Sequence, residues 1–225
     1  MKLSSLAGSR LRPGFVVQGG RRGVTLVELL IAVMVSAVLI GALCEMYLVL
    51  ASEFERQQGE GDALACTSFA CSRIAEYAVP AINAQTYTRY APNDALCIKL
   101  PADMAYGVYV PVQVGSRVEY RDGQQIMFYL SDSTGSYYRR GSILWAGVVN
   151  SLWPSVSVTP DQSWSLYPGG TQGRIILDSV RFDVVIGVRA SVTISARRTY
   201  RIGRTQKTLS AQRTVCLENS DAHGF

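Results

Sequence analysis

Hydrophobic and polar positions along this 225-residue chain fall into three regimes. Residues 29–44 are 16 consecutive uncharged, mostly apolar positions, and with Glu28 and Glu45 accepted the apolar run covers 24–51. A bilayer-spanning helix needs about 20 such residues. Over 52–77, Phe54, Leu64, Phe69 and Ile74 stand among charged and polar side chains, which predicts that the helix continues beyond the membrane until Pro80 stops it. Gly59-Glu60-Gly61 is expected to loosen it midway. After Pro80 the apolar period shortens to two.

That shorter period predicts strands. Val118 and Tyr120 alternate with Arg117 and Glu119, Asp122-Gly123 reads as a tight turn, and Ile126, Phe128 and Leu130 resume the apolar face, a hairpin signal. Further alternating runs cover 108–114, 180–188 (Val180, Phe182, Val184 and Ile186 inward), 192–202 and 208–217. Residues 131–136 and 150–173 read as loops. In the second, Trp153, Trp164 and Tyr167 are a candidate contact patch, set against the plainer reading of a loop folded on its own aromatics. The predicted class is α+β: a long N-terminal transmembrane helix continuing into a stalk, then a mainly antiparallel β head. The expected segments are 1–23, a basic leader; 24–51, the membrane helix; 52–79, its continuation; and 80–225, the head.

Charge fixes the orientation. The chain has 22 Lys+Arg against 17 Asp+Glu, but Lys2, Arg10, Arg12, Arg21 and Arg22 all precede the apolar run, with no acid among them. Such a flank keeps the N-terminus in the cytoplasm and sends the C-terminal part outward. A carboxylate at position 28 costs roughly 2.5–3.5 kcal/mol to insert, so it calls for a functional partner. It also argues against an ordinary secretory signal peptide. A lipoprotein cleavage site ending at Cys44 fits poorly, because Leu43 stands where a small residue should precede the cysteine.

Gly23 followed by Val24-Thr25-Leu26-Val27-Glu28 and a hydrophobic helix resembles the processing and methylation signature of type IV pilins and type II secretion pseudopilins. The resemblance covers about 30 residues and implies that a prepilin peptidase cuts after Gly23 and methylates the amine of Val24. It further implies that Glu28, the fifth residue of the cut chain, meets the N-terminal ammonium of a neighbouring subunit, with Thr25 and Glu28 as assembly residues. An ion pair of this kind offsets the burial of both charges and sets the axial register. Val24 replaces the usual Phe, and the proline that commonly kinks major-pilin helices is missing; both departures favour a minor subunit. The implied partners are other pilin or pseudopilin subunits, the peptidase and the inner-membrane assembly platform. The implied place is the bacterial inner membrane, then a periplasmic pseudopilus or pilus.

Removing 23 of the 225 residues leaves 202, with 17 basic against 17 acidic side chains. The whole-chain basicity is therefore a matter of topology and no evidence for a nucleic-acid partner. Locally, 24–79 is acidic, whereas 184–217 carries Arg189, Arg197, Arg198, Arg201, Arg204, Lys207 and Arg213 with no acid. This stretch reads as a solvated strand face, with subunit contact or polyanion binding through Arg197, Arg198, Arg201 and Arg204 as alternatives. Cys66, Cys71, Cys97 and Cys216 lie where disulfides persist. On one helix Cys66 and Cys71 diverge too far to bridge each other, so each is expected to reach Cys97 or Cys216.

No catalytic constellation emerges. There is no P-loop and no HExxH, and His223 is the only histidine. No enzyme activity, metal or cofactor is expected; Asp132-Ser133-Thr134-Gly135 is a calcium candidate, set against the plainer reading of a turn. The reading is a minor subunit that joins or primes a periplasmic filament of a type II secretion or type IV pilus machine. The alternatives are a DNA-uptake or adhesion pilin using the basic C-terminal face, and a membrane-tethered periplasmic protein with an accidental signature.

Overall fold

The computed structural model describes residues 23–105, 107–163, 174–187, 189–203 and 205–220. The basic leader before Gly23, Trp164, Tyr167, Arg204 and His223 lie outside these residues. The chain divides into two units, one ending at Val49 and one beginning at Leu50. The described part of the first is the opening of helix α1, Leu26–Ala78, whose side chains up to Leu50 are all exposed. An 18-residue window of this helix has a mean hydropathy of 2.6, so it is long and apolar enough to cross a membrane.

In the second unit α1 stays helical through Gly59 and Gly61. Its buried positions are Ala63, Cys66, Thr67, Ala70, Cys71, Ile74, Ala75 and Ala78, the i, i+3, i+4 spacing of one helix face. Nearly all are small, which lets β-structure approach closely. Phe54 and Leu64, expected to mark this face, are exposed instead, whereas Ile74 is buried and Phe69 packs on the core edge. Pro80 ends the helix as expected. The carbonyls just past its last residue are taken up by a distant segment: Glu218 N donates to Val79 O at 2.8 Å, and Asn219 Nδ2 donates to Pro80 O at 2.6 Å.

Among the described residues twelve strands follow: β1 Asn83–Tyr87, β2 Ala95–Pro101, β3 Met104–Ala105, β4 Val108–Tyr109, β5 Val112–Val114, β6 Arg117–Glu119, β7 Asp122–Ser131, β8 Ile143–Ser151, β9 Ser157–Ser163, β10 Ser179–Val185, β11 Ser191–Ile202 and β12 Thr205–Cys216. They form a five-stranded sheet in the order β1-β2-β7-β8-β9, a three-stranded sheet β10-β11-β12, and the ribbons β3-β4 and β5-β6. All pairings are antiparallel. The α+β class expected from the sequence is therefore what the chain adopts.

Period-two burial divides the five-stranded sheet. Leu96, Ile98, Ile126, Phe128 and Leu144 enter the main core with the helix stripe and with Val180, Phe182, Val192 and Ile194. On the other face Ala95, Cys97, Met127, Tyr129 and Tyr137 form a smaller cluster covered by Leu152, Val156 and Val158.

The β11–β12 hairpin runs beside α1. Cys71 Sγ lies 3.9 Å from Ile194 O, Arg198 donates to Cys66 Sγ, and Tyr200 covers Gly59. Twelve helical residues rise about 18 Å and six extended residues about 20 Å, so strand and helix keep step over this stretch.

Three expectations change. The tight turn is at Gly115 (φ +65), between β5 and β6, rather than at Asp122-Gly123. Those two residues begin β7, and a Cβ at Gly123 would stand 2.7 Å from Pro101 backbone, so glycine there permits close approach at the Lys99/Pro101 irregularity. Part of the loop expected over 150–173 is β9, and β10 ends before Ile186, which is exposed rather than inward.

Candidate processing and assembly site

The residues ahead of α1 leave helical geometry at Gly23, Val24 and Thr25. A Cβ built on Gly23 meets nothing within 4 Å. The fold does not demand glycine there. Val24 is 71% exposed, and the Gly23–Val24 bond is accessible, non-helical backbone of the kind peptidases cut.

Thr25 and Glu28 close a capping box. Thr25 N donates to Glu28 Oε2 at 2.9 Å, Thr25 Oγ1 donates to the same oxygen at 3.1 Å, and Glu28 N donates to Thr25 Oγ1 at 3.2 Å. The first helical bond follows, Leu29 N to Thr25 O at 3.1 Å. Free N–H groups at a helix start are satisfied in this way by a Thr-x-x-Glu sequence. Glu28 thus has a partner in its own chain that the sequence reading did not assign, although Thr25-Leu26-Val27-Glu28 spells it. Both bonds fall on Oε2. Among the described residues Oε1 accepts none.

A family model, the prokaryotic N-terminal methylation motif, matches residues 19–43. This chain carries a pilin-type signature. Gly23, Val24, Thr25 and Glu28 all lie within the matched stretch, and the capping box is the geometry this pilin-type start adopts. No curated protein and no solved structure matches the chain.

The candidate cysteines do not meet. All of them are free thiols. Cys66 and Cys71 face the main core from α1, but Cys97 lies on the opposite face of β2, in the smaller cluster. Cys216 is exposed, because alternation along β12 turns Val215 inward and its neighbour out. The expected bridges from Cys66 and Cys71 to Cys97 or Cys216 are not made, since both partners point away from the helix. Burial pushes the Cys97 thiol up to about 11 and raises that of Cys71.

The basic stretch does not form one face. Arg197 and Arg201 are exposed on the outer side of β11, among threonines and serines. Arg198 shares the inner side with Ile194 and Ala196 and reaches Cys66. Arg213, opposite Ile194 in the register, donates to Ser72 Oγ at 3.1 Å. Arg204 lies outside the described residues.

Asp132 is occupied by its own turn. Thr134 Oγ1 and N donate to Oδ1 at 2.5 and 2.9 Å, and Arg139 pairs with Oδ2 at 3.3 Å. The Thr134 hydroxyl bond is the main cause of a carboxyl held below its usual range. Among the described residues no group of three His, Cys, Asp or Glu side chains is placed to hold a metal ion.

Sequence reasoning also missed Arg89. Its Nη1 donates to Leu130 O at 2.8 Å, its Nη2 to Arg139 O at 3.2 Å and to Tyr137 O, and it stacks on Tyr137, Tyr129 and Tyr90 with ring centroids 4.4, 4.9 and 5.2 Å away. Desolvation lowers its pKa. The arginine staples the segment after β7 to the edge of the sheet. Its only signal in the sequence is a charge flanked by tyrosines.

Proposed function

We propose that this protein is a minor subunit of a periplasmic filament belonging to a type II secretion or type IV pilus machine. A prepilin peptidase cuts between Gly23 and Val24 and methylates the new amine. The subunit waits in the inner membrane with its N-terminus in the cytoplasm, and an assembly platform feeds it into the filament beside other subunits. Its own role is structural and non-catalytic.

The observation that carries this reading is the capping box at the head of an exposed apolar helix, inside the matched motif. Oε2 of Glu28 is committed to Thr25, while Oε1 is left to accept the ammonium of Val24 from an adjacent subunit. The carboxylate arrives oriented, so little side-chain freedom is lost on pairing. Removing either charge leaves the other uncompensated in the membrane, the situation in which a broken pair costs most.

The intact mass and N-terminal sequence of membrane-extracted protein test the processing step. A chain starting at methylated Val24 is expected in cells with an active prepilin peptidase, and a start at Met1 in such cells would overturn the reading. Glu28→Gln tests assembly: the variant should remain in the membrane fraction and disappear from filaments. Normal incorporation would count against the assigned pair.

A further inference from the structure

Strand β12 ends the three-stranded sheet, since the order β10-β11-β12 gives it a neighbour on one side only. Which of its backbone groups are left over follows from β11. Arg197 O accepts from Asp178 N at 2.9 Å, and Thr199 N donates to Asp178 Oδ2, so the backbone of these two residues turns toward β10 and away from β12. Their register partners, Ser210 and Thr208, therefore point their N–H and C=O groups outward. By the two-residue period Gln206, Gln212 and Thr214 do the same. Among the described residues no backbone group takes up this row. A twelve-residue edge without proline or glycine is a template for another strand.

The two faces of β12 differ. Gln206, Thr208, Ser210, Gln212 and Thr214 face away from α1, whereas Lys207, Leu209, Ala211 and Arg213 share the helix side with buried Val215. Lys207 and Arg213 are exposed, flank the apolar pair, and make no ion pair among the described residues. The helix leaves apolar surface beside them. Leu64, 54% exposed, stands in one row of α1 with Ser68 and Ser72 at i, i+4 and i+8, and Ser72 is the residue that Arg213 reaches. Leu209 lies near this level, because its partner Arg198 reaches Cys66. A strand added to β12 would lay its helix-side residues over Leu209 and toward Leu64.

Charge selects the occupant. A second copy laid antiparallel about Ser210 would set Lys207 against Arg213 at both ends, and like charges directly opposite are destabilising. The chain offers no better edge of its own: β9 carries Pro160, which has no N–H to give, and β1 lies against β10. The complement to this edge is a segment of a different protein, with acidic residues facing Lys207 and Arg213 and apolar residues facing Leu209 and Ala211.

We propose that the free edge of β12 binds such an acidic, alternating segment of a partner protein by strand addition. Main-chain hydrogen bonds to Gln206, Thr208, Ser210, Gln212 and Thr214 supply affinity, and the alternate side chains supply specificity. The two cations fix the register. This surface goes beyond the assembly contact assigned to Glu28.

The test uses the full chain in detergent and a fluorescently labelled peptide that alternates threonine with valine and has glutamate at the two positions facing Lys207 and Arg213. Saturable binding is expected, and the same peptide with lysine in place of glutamate should bind about tenfold more weakly or worse. Hydrogen exchange should slow on binding at Gln206, Thr208, Ser210, Gln212 and Thr214, and not at the residues between them. Ser210→Pro removes an outward N–H only, a change an edge strand tolerates, so it should keep the wild-type unfolding midpoint and lose the peptide. Gln212→Pro is a second variant of the same kind, and Lys207→Glu should narrow or reverse the preference between the two peptides. Absence of saturation at millimolar concentration would overturn the proposal, as would equal binding by the folded proline variants or equal affinity for the two peptides. Self-association of the chain that Ser210→Pro abolishes would overturn it in favour of a second copy. Cleavage at Gly23 is read separately from the N-terminal sequence of the same preparation, so the two readings fail independently.

Discussion

Tyr200 lies over Gly59: a Cβ added to that glycine would sit 3.3 Å from Tyr200 Cδ2. The glycine that looked like a weak point in the helix is where the hairpin tip lands. Gly61 has nothing within 4 Å of an added Cβ. Its replacement by alanine recovers helix propensity alone, about 0.5–1 kcal/mol. Thermal unfolding should therefore show Gly61→Ala raising the midpoint and Gly59→Leu lowering it. Equal shifts in the same direction would show that Tyr200 does not rest on the helix.

Thr25 should matter through its hydroxyl. Thr25→Ala removes the side-chain half of the capping box and is expected to cost about 0.5–2 kcal/mol at the helix start. Thr25→Ser keeps both the hydroxyl and the backbone donor. Quantified filament incorporation should fall for the alanine variant and recover for serine, with membrane levels unchanged throughout.

Arg89→Lys should not behave as a conservative change. Lysine cannot reach three carbonyls in a planar fork or stack on Tyr137 and Tyr129 in the same way. Loss of those hydrogen bonds inside a half-buried site is expected to destabilise the second unit by about 2–3 kcal/mol, read as a shift in denaturant midpoint. A neutral result would show that the segment after β7 is held without the staple.

Thiol chemistry should follow burial. Cys216 is exposed, whereas Cys97 is buried with its pKa pushed up from 9.0 to about 11. Alkylation at mildly alkaline pH, mapped by peptide mass, should label Cys216 early and Cys97 only on unfolding. The same shift has a consequence for stability. The native state holds the Cys97 proton more tightly than the unfolded chain, so the stability it contributes is fully present below pH 9.0 and is lost as pH rises toward about 11. Tyr129 and Tyr137, pushed by burial to about 12, act in the same direction at higher pH. Alkaline titration of the unfolding midpoint should slope downward across this window. Cys97→Ala should flatten the lower part of the slope.

The membrane-length helix, its stop at Pro80, the signature around Gly23 and the strands β10, β11 and β12 were legible because each has a strong periodic or motif signal. Strand β2 was not: it is buried on both faces, so Ala95-Leu96-Cys97-Ile98 shows no alternation to read. Strand β9 escaped notice because it contains Pro160, which an edge position tolerates. The helix face was misplaced because its core side is built of alanine, cysteine and threonine, while larger Phe54 and Leu64 point to solvent. At the candidate site, residue types were readable from the motif, but the hydrogen bonds within it required knowing where helical geometry begins. The division of the arginines between two faces of β11 depended on which face the helix covers.

The hairpin that keeps step with α1 also ties the two ends of the second unit together. Arg198 and Arg213, on β11 and β12, reach Cys66 and Ser72 on the helix, and the segment after β12 is bonded through Glu218 and Asn219 to Val79 and Pro80 just past it. First and last elements form one joined layer, so loosening β12 would release the helix end together with the strand.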